Sequence, residues 1–319
     1  MLTVYPDYYP LFRCAAGACR HTCCAGWEID IDEQTLETYR RLAGPLAARM
    51  KAALVPDPEP HFRLTPEARC PFLREDNLCE LIRTGGEDLL CQICWDHPRF
   101  RSFFPGRTEI GLGLCCEAAG ALILMRKEPV ALLSEGSEEP ESKDAAALLI
   151  LRDRLIAAAQ DRSRPLEDRM DRVLALADAV LPARSMAEWA RIFLALERLE
   201  DSWTDTLQAL ARRGDQVDIK LFCHYMEERE TEYEQLLVYF LYRHVPKALE
   251  DGDPAGKAAF AVLSVRLLFR LGALEYEARG DFTPADQIDL ARRYSAEIEY
   301  SEENMDALFD RLWEDQWTD

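Results

Sequence analysis

The run LFRCAAGACRHTCCAGWEIDID, Leu11 to Asp32, sets Cys14, Cys19, Cys23 and Cys24 close together and decides how the rest of the chain is read. It is followed by Cys70-Pro-Phe-Leu, Cys79, Cys91-x2-Cys94 and Cys115-Cys116, so that of 11 cysteines every one except Cys223 lies at or before Cys116. Thiolate is a soft anionic ligand suited to zinc and to iron–sulfur clusters, and several can converge from distant loops. The same region is broken by Pro56, Pro58, Pro60, Pro66, Pro71, Pro98 and Pro105, and by Gly85-Gly86 and Gly106, too often for long helices. It reads as a compact, loop-rich, cysteine-rich metal-binding module. There is no CxxC…CxxC pairing, so a plain zinc ribbon is a poor match, and the pattern leaves open which four cysteines ligate. The other reading of any one of them is a small buried apolar residue. That reading weighs most for Cys91 and Cys116 and more heavily still for Cys223, which stands beside His224. His21, inside the first run, could ligate or hydrogen-bond a sulfur.

Local signals place a helix over Asp32–Ala43, with Asp32 as cap and Leu36, Tyr39 and Leu42 at helical spacing. Gly44-Pro45 ends it, and Pro45 opens a second short helix through Leu46 and Met50. Another helix is expected over Glu87–Cys94. A strand pair is expected over Arg101–Leu114, turning at Pro105-Gly106. Ser134–Lys143 (SEGSEEPESK) reads as a linker. The expected domains are therefore 1–134, the cysteine-rich module, and 144–319, an acidic α-helical array.

The array is read from its caps and periodicity: helices over Ala145–Gln160, from Pro165 to about Leu181, Ala187–Arg212, and Asp218–Leu249 with an interruption near Pro246. Pro254, Thr283-Pro284 and Ser301-Glu302-Glu303 open three more. Ala258–Leu274 is the most apolar stretch, but Arg266 and Arg270 break it, which argues for an amphipathic helix and against a membrane span. The fold class is mainly α.

Lys and Arg number 38 against 58 Asp and Glu, a net charge of −20. Residues 1–125 carry 13 basic and 17 acidic side chains and residues 126–319 carry 25 and 41, so the helical part holds most of the excess. Such a balance argues against nucleic acid as the main partner. The default reading of the acidic half is a solvated face, and the alternative is steering of a lysine-bearing protein. MLTVYPDYYPLFRC lacks a basic stretch followed by an apolar run, so the expected compartment is the reducing cytoplasm, where clustered cysteines hold metal more often than they form disulfides.

The Leu11–Asp32 run, with CPFLREDNLC (Cys70–Cys79), CWDHPRF (Cys94–Phe100) and GLCCEAAG (Gly113–Gly120), resembles the flagellin lysine-N-methylase family. EYEQLLVYFLYRH (Glu232–His244) and RRYSAEIEYSEENMDAL (Arg292–Leu308) look like that family's C-terminal segments. The resemblance implies an enzyme: methyl transfer from S-adenosylmethionine to lysine ε-amines of flagellin or another lysine-bearing protein, with a 4Fe-4S cluster on the N-terminal cysteines. The positions matching the motif are Cys14, Cys19, Cys23, Cys24, Cys70, Cys79, Cys94 and Cys115. Cys116 stands where the motif has proline, and Cys91 is not clearly part of it.

Methylating a lysine requires its neutral amine, aligned with the donor carbon and shielded from water. Trp27, Glu28, Asp30, Asp32, Trp95, Asp96 and Arg99 stand near the cysteines, and Tyr239, Tyr242, Tyr294, Glu297 and Tyr300 stand in the helical part. Each is read first as a packed aromatic or a solvated acid, so no catalytic or donor-binding residue is assigned. Gly111-Leu-Gly113 is not followed by a glycine-capped helix, and no CxxxCxxC run is present. The alternative to an enzyme is a zinc- or iron-binding adaptor whose metal staples the module. A third reading is an iron–sulfur redox carrier.

Overall fold

In the computed structural model, which describes residues 1–137 and 142–316, the chain is mainly helical. In chain order it forms β1 (Leu2–Pro6), α1 (Glu33–Arg40), α2 (Pro45–Ala53), β2 (Leu54–Val55), β3 (His61–Phe62), α3 (Glu80–Gly85) and α4 (Gln92–Asp96). β4 (Arg99–Phe104), β5 (Arg107–Leu112), α5 (Glu117–Leu124), β6 (Leu132–Gly136), α6 (Lys143–Ala159), α7 (Leu166–Leu176), α8 (Met186–Leu194) and α9 (Asp201–Arg213) follow. The last third is α10 (Ile219–Tyr225), α11 (Thr231–His244), α12 (Ala248–Asp251), α13 (Pro254–Arg279), α14 (Pro284–Tyr294) and α15 (Glu302–Gln316). No helix among the described residues is long and apolar enough to cross a membrane.

The chain divides into two compact units. The larger comprises Met1–Phe12, Phe100–Cys115 and Ala119–Asp319, the smaller Arg13–Arg99 with Cys116–Ala118. In the larger unit four strands lie in the order β4-β5-β1-β6, with β1 parallel to β5 and antiparallel to β6. β4 and β5 are the expected hairpin, turning at Gly106, whose φ of +76° suits glycine. The expected linker begins as strand: Ser134 and Glu135 pair with Val4 and Thr3 of β1. Residues 138–141 of that stretch lie outside the described residues, and Ser142 caps α6 by accepting from the Ala145 N–H.

α11 and α13 form the centre of the larger unit. Every residue of α11 from Glu232 to His244 is buried, and α13 packs against α7, α9, α11, α14 and α15. The amphipathic helix expected at Ala258–Leu274 is therefore corrected: α13 is buried on nearly all sides from Gly256 to Ala273, and Arg266 reaches out to Glu167 and Asp171. The single helix expected over Ala187–Arg212 is two, α8 and α9. Both carboxylate oxygens of Glu297 accept from the Leu199 and Glu200 N–H groups at 2.8 Å, giving α9 a start that its own sequence does not provide. α10 and α11 are likewise separate where one interrupted helix was expected. The Thr283 capping box and the Pro254 start stand where the sequence places them, and a capping box at Ser185 that the sequence reading did not include opens α8.

A buried ion pair ties sheet to helices. Arg152 of α6 donates to both oxygens of Glu109 on β5 at 2.6 and 2.9 Å, with neither residue more than 1% exposed. Its guanidinium lies 5.2 Å from the centre of the Tyr242 ring, and the Tyr242 hydroxyl donates to the carbonyls of Val4 and Ile110. Removing Arg152 leaves the buried Glu109 carboxylate one arginine fewer, with the less buried Arg107 still against it. Arg152→Met is expected to cost about 3 kcal/mol in urea unfolding, and the double change with Glu109→Leu should recover more than half. A single variant as stable as the parent would contradict this.

Candidate metal centre and a buried carboxylate cluster

The smaller unit is organised around sulfur and aromatic rings. Ile29, Ile31, Leu36, Tyr39, Met50, Phe62, Phe72 and Leu81 form its core together with Cys70 and Cys91, and Cys24, Cys79 and Cys94 pack against that core. Local backbone geometry explains the convergence. Cys70 N–H donates to the Cys24 carbonyl at 2.8 Å, which lays the Cys23-Cys24 run beside the CPFL segment. That segment doubles back through a turn with Asn77 at φ +56°, so that Leu73 bridges Cys79. Cys91 precedes the first residue of α4 and Cys94 lies one turn on, with their Sγ atoms 3.4 Å apart. Asp32 fixes this last pair from a distance: one carboxylate oxygen caps α1 at Thr35 N–H and the other accepts from Gln92 N–H, at 2.9 and 2.8 Å. The helix expected over Glu87–Cys94 is accordingly a short turn at Glu87–Leu89 and then α4, separated by Cys91.

Five thiols thus share one core: Cys24, Cys70, Cys79, Cys91 and Cys94. Cys91, which the motif did not include, is fully buried among them. Of the other positions, Cys14 and Cys23 are exposed and lie electrostatically close to each other and to Cys116, while Cys19 donates to the His21 carbonyl at 3.0 Å. Cys115 belongs to the larger unit, where it faces the Tyr300 hydroxyl. His21 lies 3.9 Å from Glu117. No disulfide links any of the 11 cysteines, and Cys223 is exposed on α10.

Thiol acidity follows from the packing. Burial pushes Cys70 up to about 12 and raises Cys79. The hydrogen bond from Cys23 brings Cys24 down to about 7 against the pull of burial, with help from the Thr22 hydroxyl and Arg69. The bond with Cys94 likewise lowers Cys91. Cys70 and Cys79 therefore hold their protons at neutral pH, and any ligation displaces them. A zinc tetrathiolate, with bonds of about 2.3 Å in a tetrahedron, draws its sulfurs to about 3.8 Å of one another. Among the described residues no three His, Cys, Asp or Glu side chains are so gathered. The donor chemistry fits a thiolate-held group, and the spacing does not fit a preformed mononuclear site.

The larger unit holds a second polar cluster, built on α11 and on the π-helical turn Ser295–Glu299 that precedes α15. The Tyr239 hydroxyl donates to the Glu299 carboxylate at 2.9–3.0 Å, His244 Nε2 lies 2.7 Å from it, and Arg243 Nε lies at 3.4 Å. The Arg243 guanidinium also donates to the Tyr239 oxygen and lies 4.8 Å from the Tyr300 ring centre and 5.0 Å from that of Phe100. Of the acids and aromatics singled out in the sequence, Tyr239 and Tyr300 belong here. Tyr294 bonds Ser264, Tyr242 serves the sheet, and Glu297 caps α9. Arg243, His244 and Glu299 were not singled out as a site. Their only signal was polarity inside an apolar helical text.

Arg243 and His244 outweigh the burial of Glu299 and hold its carboxyl down at about 2. Burial lowers His244 to about 4, against the opposing pull of Glu299. Glu299 is thus an ionised anchor. A carboxyl held so far down is a poor base for a lysine ammonium, and the fixed cation of Arg243 makes its surroundings unfavourable to a cationic substrate.

Residues 187–319 match the family model described as the FliB lysine N-methylase C-terminal domain. A lysine-N-methylase of Salmonella choleraesuis is 30% identical over 134 residues, covering 40% of this chain and 33% of that protein. The corresponding lysine-N-methylase of Salmonella typhimurium is 29% identical over the same shares. The flagellar biosynthetic protein FliU of Salmonella muenchen is 30% identical over 136 residues, 40% of this chain and 79% of FliU. The matched stretch thus spans about a third of the length of the two lysine-N-methylases. No solved structure matches the chain significantly.

The cluster makes acid stability testable. Between pH 6.5 and about 4 the unfolded chain binds a proton that folded His244 refuses, so stability is full above 6.5 and falls as pH drops, by on the order of 3 kcal/mol at the lower limit. His97, lowered to about 4 by desolvation and then by Arg99, adds a fall of the same sign, and Glu299 adds its own below 4.5. Urea midpoints at pH 7, 6 and 5 should decline, and in His244→Phe the decline should be about half as steep. An unchanged slope in the variant would contradict the assignment.

Proposed function

This chain belongs to the flagellin lysine-N-methylase family, and from that premise we propose that it is an S-adenosylmethionine-dependent protein-lysine N-methyltransferase that acts on flagellin and carries a 4Fe-4S cluster on its N-terminal cysteines. The observation that carries the reading is the 30% identity to FliU over 79% of that protein, joined to the match of residues 187–319 to the methylase C-terminal domain. The names of the relatives support a protein substrate bearing lysines, and the flagellar name supports flagellin.

Cys24, Cys70, Cys79, Cys91 and Cys94 are the residues that would hold the cluster, because they share one desolvated core. Cys14, Cys19, Cys23 and Cys115 remain in the proposed set from the motif. Bound there, the group would supply a rigid, redox-capable centre. Tyr39 and Asp32 hold the cradle in shape: Tyr39 donates to the Leu89 carbonyl at 2.7 Å, and Asp32 pins the start of α4. Tyr39 also stacks on Phe62 and so fills the floor of the same core. The acidic excess of the helical half, −16 over residues 126–319, supports an encounter with a lysine-rich surface that weakens as salt is raised.

The test is transfer of labelled methyl from S-adenosylmethionine to purified flagellin by anaerobically prepared protein. Transfer is expected to fall at least about tenfold from 50 to 500 mM salt and to be lost in Cys70→Ser and Cys94→Ser, with Cys223→Ser unaffected in metal content. Absence of any labelled lysine with fully loaded protein would remove the methylase reading. Full metal retention in both cysteine variants would remove the ligand assignment.

A further inference from the structure

The five thiols in the core of the smaller unit are one more than a 4Fe-4S cluster takes, since four thiolates hold such a cluster. Cys91 is the one that stands outside the motif, and its surroundings set it apart. It is 0% exposed, and its Sγ lies 3.4 Å from that of Cys94, which is only partly buried. Cys91 immediately precedes α4 and Cys94 lies on the first turn of that helix, so the two side chains leave the backbone on one side. Two hydrogen bonds fix this turn: the Gln92 N–H donates to Asp32 at 2.8 Å, and the Trp95 N–H donates to the Cys91 carbonyl at 3.0 Å. Ile93, between the two cysteines, packs against the same apolar core. The sulfurs of a disulfide are about 2.05 Å apart, so each of these two has to move by only about 0.7 Å to bond.

We propose that Cys91 and Cys94 are a peroxide-reactive dithiol whose disulfide closes the metal site of the unloaded protein until a reductant reopens it. The closing of the site rests on the reading of the core thiols as metal ligands; the reactive pair rests on the two sulfurs alone. Cys94, the more accessible, attacks one oxygen of hydrogen peroxide. The O–O bond breaks, Cys94 becomes a sulfenic acid, and the other oxygen leaves as water with the thiol proton. Cys91 then displaces the sulfenic hydroxyl, which forms the S–S bond and releases a second water carrying the Cys91 proton. Two thiols and one peroxide thus give one disulfide and two waters, and the two sulfurs lose the two electrons that the peroxide gains. A sulfenic acid with no second thiol beside it goes on to sulfinic acid, which a dithiol does not reverse. Cys91 therefore arrests the oxidation of Cys94 at a reversible stage. The disulfide also removes two of the five sulfurs, and Cys24, Cys70 and Cys79, the three left in the core, are one short of four thiolates.

The test treats the full metal-free chain with a slight excess of hydrogen peroxide, blocks the remaining thiols with an alkylating reagent and weighs the tryptic peptides. Thr84–Arg99 carries Cys91 and Cys94 and no other cysteine. It is expected unalkylated and two hydrogens lighter, the mass of an internal disulfide, and dithiothreitol before alkylation should return both thiols. In Cys91→Ser the same treatment should leave Cys94 as sulfinic acid, two oxygens heavier. Uptake of iron and sulfide is measured on the reduced, oxidised and re-reduced parent protein. Uptake should fall at least about fivefold on oxidation and return with dithiothreitol. Two alkylated thiols in the peroxide-treated peptide, or Cys94 joined to a different peptide, overturn the reactive pair. Oxidised protein that carries the internal disulfide and loads as well as the reduced protein overturns the closing of the site. Reduced protein that takes up zinc in place of iron removes the cluster reading alone, and the same comparison is then read in zinc.

Discussion

The larger unit depends on burying α11. This helix carries Glu232, Glu234, Gln235, Tyr239, Tyr242, Arg243 and His244, and leaves none of them in water. Each buried charge must then be met by protein, because an unpaired charge in that position costs several kcal/mol. The surrounding elements are arranged accordingly. Arg162 and Arg169 converge on Glu234 at 2.6–3.2 Å, Gln235 donates to the carbonyls of Arg126 and Glu128, Tyr242 reaches the sheet, and the π-helical turn delivers Glu299 to Tyr239, Arg243 and His244. A different register of any of these neighbours would strand at least one charge. That requirement explains why a helical array with so many polar residues at its centre has one arrangement.

The smaller unit meets a different constraint. Its helices are short, α3 and α4 spanning only Glu80–Gly85 and Gln92–Asp96, and its apolar core is eked out with thiols. Asp32 holds two helix starts with one carboxylate, and the backbone bond from Cys70 to Cys24 joins segments far apart in sequence. Desolvated thiols in such a core are costly to ionise, so ligation and folding would be linked: a ligand that displaces their protons also cross-links the loops.

Local chemistry made part of this legible in the sequence. Asp32 caps and Thr283 opens their helices where their side chains and the following residues say they do, Pro254 starts α13, and Pro105-Gly106 turns the hairpin. Long-range partners were not legible. Nothing near Leu199 says that Glu297 will start a helix there, and nothing in Leu2–Pro6 or Ser134–Gly136 says that they pair. α13 looked two-sided because Arg266 and Arg270 are charged, yet both arginines reach partners on other elements at its edge. In the cysteine set the motif pointed to eight positions, of which Cys24, Cys70, Cys79 and Cys94 pack in one core, while Cys14, Cys19, Cys23 and Cys115 lie outside it. It left out Cys91, because the contribution of that residue comes from burial, which spacing does not encode.

Protein purified without oxygen and analysed for iron, acid-labile sulfide and zinc, with a visible spectrum on the same sample, tests the account at its centre. The account predicts a brown protein with about four irons and four sulfides per chain. A colourless protein holding one or two zincs would contradict the iron–sulfur assignment and leave a metal-stapled binding module in its place.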